Sequence, residues 1–225
     1  MAVPAWNVFL AGSLLLVVLI VVLAKQTATL LADPEGPIAD LSRQSLYLNV
    51  VVSHGLVLAG VGALLWWTGV PTDLLGVTVR PDPLQFGVLA GGLIALNEAS
   101  DWLADAITSA ENRLRELLTP ATWFEWLLLG FLVLPLIAVT EEVLFRGVLI
   151  GGFSAATGLH PAVLVAGSAV AFGGAHTAQG WIGVVVAAAL GLVLGGAFYL
   201  TGSLWLVIGV HYLLDLIEFA RHARS

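Results

Sequence analysis

Cysteine is absent from this chain of 225 residues. No disulfide, no thiolate metal site and no cysteine nucleophile is therefore available to it. Charge is scarce as well. Asp, Glu, Lys and Arg make up 10% of the residues, where soluble domains carry about 25%. Lys and Arg number 8 against 15 Asp and Glu, for a net charge of -7. That shortage leaves no basic surface, excludes nucleic acid as a partner and argues against strong attraction to anionic lipid heads. Apolar residues fill the chain instead: 59%, with 25 glycines and a mean hydropathy of +1.00. A soluble globular domain and a disordered chain are both excluded, and a polytopic membrane protein remains.

A membrane span needs roughly 20 apolar residues. Residues 6–24 qualify without a single charge. No Lys or Arg precedes them, and the run is long for the core of a signal peptide, so they read as a retained first helix. Residues 25–45 are polar and turn-rich. Residues 46–68 form a second span ending in the belt pair Trp66 and Trp67. Residues 69–85 are proline-rich and read as a loop. A weaker, glycine-rich span occupies 86–98. Residues 100–118 alternate charge with Leu and Ile at helical spacing, the pattern of an interfacial amphipathic helix. The stretch 121–153 is too long for one straight span, and Pro135 is placed to kink or divide it. Residues 161–176, 181–200 and 203–220 complete the set. The expected fold class is an all-α, polytopic membrane bundle of seven to eight transmembrane helices plus the interfacial helix. Its N-terminal helices and interfacial helix lie in 1–120 and a helical core in 121–225, as one integral unit. With seven spans and the N-terminus outside, Lys25, Arg43, Arg113, Arg115, Arg221 and Arg224 fall on the cytoplasmic side and only Arg80 outside. The GxxxG pairs Gly87/Gly91, Gly147/Gly151 and Gly191/Gly195 are accounted for by close helix packing.

Between Trp126 and Leu214 the only formal charges are Glu141, Glu142 and Arg146. A charged side chain at the bilayer centre costs ~2.5–3.5 kcal/mol on insertion scales. Glu142 and Arg146 are i,i+4 and can pair. Glu141 is left over, and an unpaired buried carboxylate is poised for proton transfer. His176 ends the run FGGAH. His211 has Asp215 four residues on, where the carboxylate can accept from the imidazole and fix its tautomer. Counting along the helices from the loop at 153–161 puts Glu141 and His176 at one depth, with His211 somewhat shallower. Asn49 and His54, in the second span, sit at no recognisable spacing and read as a helix–helix hydrogen bond. His160 and His222 are given no role.

A carboxylate with two imidazoles and no Ser or Cys partner suggests an activated water. In one route Glu141 and His176 position the water and take its proton, while His211 and Asp215 stabilise the oxyanion. In the other, Zn²⁺ held at Glu141, His176 and His211 lowers the pKa of its own water. HExxH is absent, so a zincin-like helix is excluded. Either route hydrolyses an acyl bond.

These residues resemble a known family. Glu141-Glu142-Val-Leu-Phe-Arg146 resembles the EExxxR motif of the CAAX-protease and bacteriocin-processing (CPBP, or Abi) intramembrane proteases. Phe172-Gly-Gly-Ala-His176 is similar to the family's FxxxH motif, and His211-Tyr-Leu-Leu-Asp215 to its HxxxN/D motif. Order and spacing agree over residues 120–220. The resemblance implies an all-helical membrane endopeptidase, of metallo- or glutamate type, whose site opens toward the cytoplasm. It implies that Glu141 and His176 act on the water, that His211 and residue 215 serve the oxyanion, and that Glu142, Arg146 and Phe172 support the site. Its substrate would be a membrane-associated peptide or a lipidated protein, a prenylated CAAX tail among them. The better-studied CAAX enzymes carry Asn where this chain has Asp215. Two other classes use buried Glu, His and Asp: a proton-coupled transporter, and a catalytically silent membrane scaffold or immunity protein of the same fold.

Overall fold

The computed structural model describes residues 3–33, 36, 41–105 and 113–223, with side chains described outside 96–115. Eight helices follow one another, and there is no strand among the described residues. They are α1 (Trp6–Ala32), α2 (Arg43–Thr68), α3 (Pro83–Asp105), α4 (Arg113–Leu118), α5 (Trp123–Thr157), α6 (Pro161–Ala175), α7 (Gly180–Thr201) and α8 (Leu204–His222). Of the stretch 100–118 expected to form an interfacial helix, residues 100–105 continue α3, 113–118 form α4, and 106–112 lie outside the described residues.

The structure is an all-α helical bundle, but among the described residues fewer helices than the expected seven to eight are long and apolar enough to span by length and composition. Four helices are long and apolar enough to cross a membrane: Trp6–Ala32, Arg43–Thr68, Trp123–Thr157 and Thr177–Thr201. Each remaining expectation fails for its own reason. Only Pro83–Ala95 of α3 is apolar, and α6 has 15 residues, a rise of about 22 Å against a hydrocarbon core of ~30 Å. α8 carries Asp215, Glu218 and Arg221 toward its end, which breaks its apolar run. Residues 121–153 are not two spans. α5 runs on through Pro135 because a π-helical stretch, Leu129–Val133, precedes the proline. The proline has no N–H to donate, and a local π register is one way a helix absorbs that loss.

The ends of the helices are written in short polar signals. Ser42 caps α2, its hydroxyl accepting from Ser45 N at 3.1 Å, and Gly69 closes the helix at φ 68°. Thr122 and Glu125 form a capping box at the start of α5. His160 caps α6, its Nδ1 accepting from Ala162 N at 3.2 Å, and Ser203 caps α8. Apolar side chains dominate the outer face of α1. On α1, Leu14, Leu15, Val18 and Leu19 are exposed, which suits a lipid-facing surface because the helix satisfies its own backbone groups.

Two ends of the bundle can be told apart. At one, Ala5 N donates to Thr68 O, Phe9 packs on Phe153, and Ser203 Oγ donates to Val79 O. At the other, Arg43 meets Glu125 at 3.1 Å and Tyr47 OH donates to Leu118 O at 2.7 Å. Arg80 thus lies toward the first end, and Arg43 at the second.

The segment after α2 is more than a loop. A 3-10 turn, Thr72–Leu75, tucks Leu75 into the core at 2% exposure. It packs on the π-helical part of α5, Val143–Gly152. Gly147 and Gly151 admit it: a Cβ on Gly147 would lie 3.2 Å from the Leu75 side chain, and one on Gly151 would collide with Leu74 O. Gly191 and Gly195 of α7 meet Ala169 and Val165 of α6 in the same close manner. Gly87 and Gly91 do not follow that reading, since open space surrounds both. Gly76 closes the 3-10 turn at φ 79°, and its Cβ would run into Gly202 O. Gly76→Ala is expected to destabilise the protein by roughly 1–3 kcal/mol, read as a lower thermal midpoint in detergent. An unchanged midpoint would mean that the turn is not held as described.

Candidate active site

Glu141 and Glu142 close the α-helical stretch Leu134–Glu142, and Arg146 follows one turn into the π-helical stretch of α5. π-helical turns occur mostly as bulges and often at functional sites. His176 ends α6 inside the bundle, where the chain turns through Thr177–Gln179 into α7. His211 and Asp215 lie one turn apart on α8. Glu141 Oε2 lies 4.0 Å from His176 Nε2 and 3.7 Å from His211 Nε2. Asp215 Oδ2 is 3.5 Å from the same His211 nitrogen. Two imidazoles from different helices therefore face one carboxylate oxygen of Glu141, and Asp215 joins the cluster through His211. That oxygen is buried and has no hydrogen-bond partner. A polar separation beyond 3.5 Å commonly takes a water between the groups.

The tautomers follow from what the other ring nitrogens touch. His176 Nδ1 lies 2.7 Å from Phe172 O. A carbonyl only accepts, so Nδ1 carries the hydrogen, and Nε2 is turned toward Glu141. His211 Nδ1 is 2.7 Å from Glu142 Oε1, likewise an acceptor. Glu142, not Asp215 as the i,i+4 spacing suggested, therefore fixes the His211 tautomer. The longer Asp215 contact falls on the working nitrogen instead.

Glu142 and Arg146 are both fully buried, with Arg146 Nη1 at 2.9 Å from Glu142 Oε1. The approach is an ion pair without hydrogen-bond alignment, and none of the three guanidinium nitrogens has a hydrogen-bond partner. The cation is held by charge and by the face of Phe172, whose ring centre lies 4.4 Å from the guanidinium carbon. Phe172 also packs on the His176 ring at 4.4 Å and edge-on to Phe145 at 5.1 Å. One apolar side chain thus braces both the buried cation and the imidazole.

His54 belongs to this cluster, contrary to its reading as part of a helix–helix hydrogen bond. Its Nδ1 is bonded within α2, 3.0 Å from Val50 O, and its Nε2 lies 3.8 Å from Glu141 Oε1. No spacing in the sequence could show this, since the two residues sit on different helices far apart in the chain. Asn49 is exposed on α2. His222 lies at the end of α8, away from the cluster.

The set Glu141, His176 and His211 has the donor chemistry zinc takes. As placed, no group of three or more His, Asp or Glu among the described residues could hold a metal ion. The arrangement can accept a proton at Glu141, orient a water with imidazole nitrogens and offer a donor to a developing negative charge.

Residues 123–217, from the start of α5 into α8, match a family model described as type II CAAX prenyl endopeptidase Rce1-like. The resemblance carried by the three motifs is thus shown over this part of the chain. The match supports a membrane protease of the CAAX type in general terms. No curated protein and no solved structure matches the chain.

Proposed function

We propose that the chain, with residues 123–217 similar to the CAAX prenyl endopeptidase family, is an intramembrane endopeptidase using Glu141 as its general base. The observation that carries this reading is the buried, unpartnered Glu141 Oε2 between the Nε2 atoms of His176 and His211. A water there can give its proton to Glu141 while its oxygen attacks the peptide carbonyl. His176 accepts the water's other hydrogen and sets its direction. His211 acts as an imidazolium: its Nδ1–H donates to Glu142, and its Nε2–H donates to the oxyanion of the tetrahedral intermediate. The proton held by Glu141 then passes to the leaving amine.

The substrate class that fits is a membrane-anchored peptide, a prenylated CAAX tail among them. Its scissile bond must reach the end of α6 inside the bundle. The protein is placed in the cell membrane as a multi-pass protein, with the site opening toward the cytoplasm. Lys25 and Arg43, past the middle of α1 and at the start of α2, support that orientation through the bias of basic residues to the cytoplasmic side. The reading is tested by cleavage of a farnesylated CAAX peptide by purified protein in detergent. A released tripeptide, lost on Glu141→Gln, is expected. An intact substrate under all conditions would reject the reading.

Asp215 has a separate expected result. It stands beside His211 Nε2, with Glu141 nearby as a second carboxylate. As a protonated carboxyl it would add a second donor to the oxyanion. Asp215→Asn supplies that donor at every pH. Activity is expected to be kept or raised, and the alkaline limb of the pH–rate profile to move upward. A loss of roughly 10–100-fold with an unshifted limb would assign Asp215 to orienting His211 as an anion.

A further inference from the structure

The proposed base is approached from both sides. Oε2 faces His176 and His211, whereas Oε1 faces His54 at 3.8 Å. His54 comes from α2, outside the residues that match the family model. We infer that His54 is a positioning residue for Glu141: as an imidazolium, with Nδ1–H donating to Val50 O, it turns Nε2–H toward Oε1 and so holds Oε2 toward the water. The inference rests on the reading of Glu141 as base.

Three observations carry it. First, the ring is aimed. Its Nδ1 is occupied by Val50 O at 3.0 Å, with Ser53 Oγ at 3.4 Å. Nε2 is left as the only ring nitrogen that can meet Glu141. Second, the register is fixed by the neighbouring residue. Thr140 Oγ1 donates to His54 O at 3.4 Å, which ties the α2 backbone at this point to the residue just before Glu141. Sliding α2 by one residue would turn the imidazole away from the carboxylate. Third, the contacts of Glu141 to His176 and His211 both fall on Oε2, so among the described residues they leave Oε1 to His54.

A separation of 3.8 Å is longer than a hydrogen bond. Catalytic hydrogen bonds are often long without substrate and tighten in the complex. A carboxylate on a side chain with three rotatable bonds needs such a tether. A misplacement of about 1 Å can cost ~10²-fold in rate. The effect of His54 passes through Glu141, which its Nε2 faces.

The test uses the full chain with two readouts. His54→Phe keeps the volume and removes Nε2. His54→Gln keeps a polar amide at the position of that nitrogen. On a farnesylated CAAX peptide, His54→Phe is expected to lower kcat by roughly 10–100-fold with KM within about twofold. His54→Gln is expected to recover most of the loss, with equal thermal midpoints for the two variants. Equal losses in both, or a His54→Phe enzyme with unchanged kcat, would overturn the proposal. The second readout does not need turnover. In protein with isotope-labelled histidine nitrogens, the His54 Nε2 resonance should shift on Glu141→Gln while those of His160 and His222 stay in place. An unmoved His54 signal overturns the contact even in an active enzyme. A shifted signal in a protein that cleaves nothing keeps the contact and rejects the endopeptidase reading instead.

Discussion

Glu141→Gln should reduce peptide cleavage by about 10²–10⁴-fold, the usual contribution of a positioned general base, with expression and membrane insertion intact. Gln has nearly the shape of Glu, so packing around α5 is preserved. What it removes is the acceptor for the water's proton and the charge that three imidazoles face at 3.7, 3.8 and 4.0 Å. Glu141 is only partly exposed, at 17%, and Arg146 pairs with Glu142 rather than with Glu141. The substitution therefore leaves the buried ion pair alone. A variant that keeps more than about a tenth of the wild-type rate would remove Glu141 from the role of base. The natural readout is product formation under single-turnover conditions, which separates chemistry from product release.

Glu142→Gln should act on stability as well as on rate. Glu142 and Arg146 are each fully buried, and removing one partner of a buried pair costs about 3–5 kcal/mol. The guanidinium has no hydrogen bonds to fall back on. For a chain of this size the thermal midpoint should drop by roughly 6–20 °C, and activity should fall with it. Replacing both charges, Glu142→Gln with Arg146→Met, should recover much of the midpoint, because an uncompensated cation is no longer buried. Full activity should not return with it, since His211 Nδ1 has lost its carboxylate partner at 2.7 Å. If Glu142→Gln is as stable as wild type and only catalysis suffers, the two glutamates have exchanged roles.

Glu141, Glu142 and Arg146 were legible because insertion energetics make three charges in a long apolar stretch conspicuous. Counting helix rise was enough to put Glu141 and His176 at one depth, because α5 and α6 meet at the Gly158–His160 turn. The GxxxG pairs of α5 and α7 packed as small residues should, but Gly87 and Gly91 show that the same spelling carries no contact by itself. Span counting failed where hydropathy measures apolar length without measuring reach. α6 is wholly apolar and still too short to cross, because it ends at His176 within the bundle. Pro135 looked like a break, but a π turn ahead of it is set by packing and leaves no mark in composition. The partner of His211 Nδ1 was hidden for a related reason. An i,i+4 spacing guarantees proximity on one helix, yet Glu142 of a neighbouring helix approaches more closely. His54 was invisible because a lone imidazole acquires meaning only when α2 is docked against Thr140.

The most direct test is a single cleavage measurement in lipid vesicles. Purified wild-type protein is reconstituted with a farnesylated peptide ending in a CAAX sequence, and the products are weighed by mass spectrometry. A new carboxyl terminus on the farnesylated fragment, absent with Glu141→Gln, is the predicted result. An intact peptide with both proteins, accompanied by proton movement across the vesicle membrane in the wild type alone, would contradict the account and assign the buried Glu and His cluster to transport.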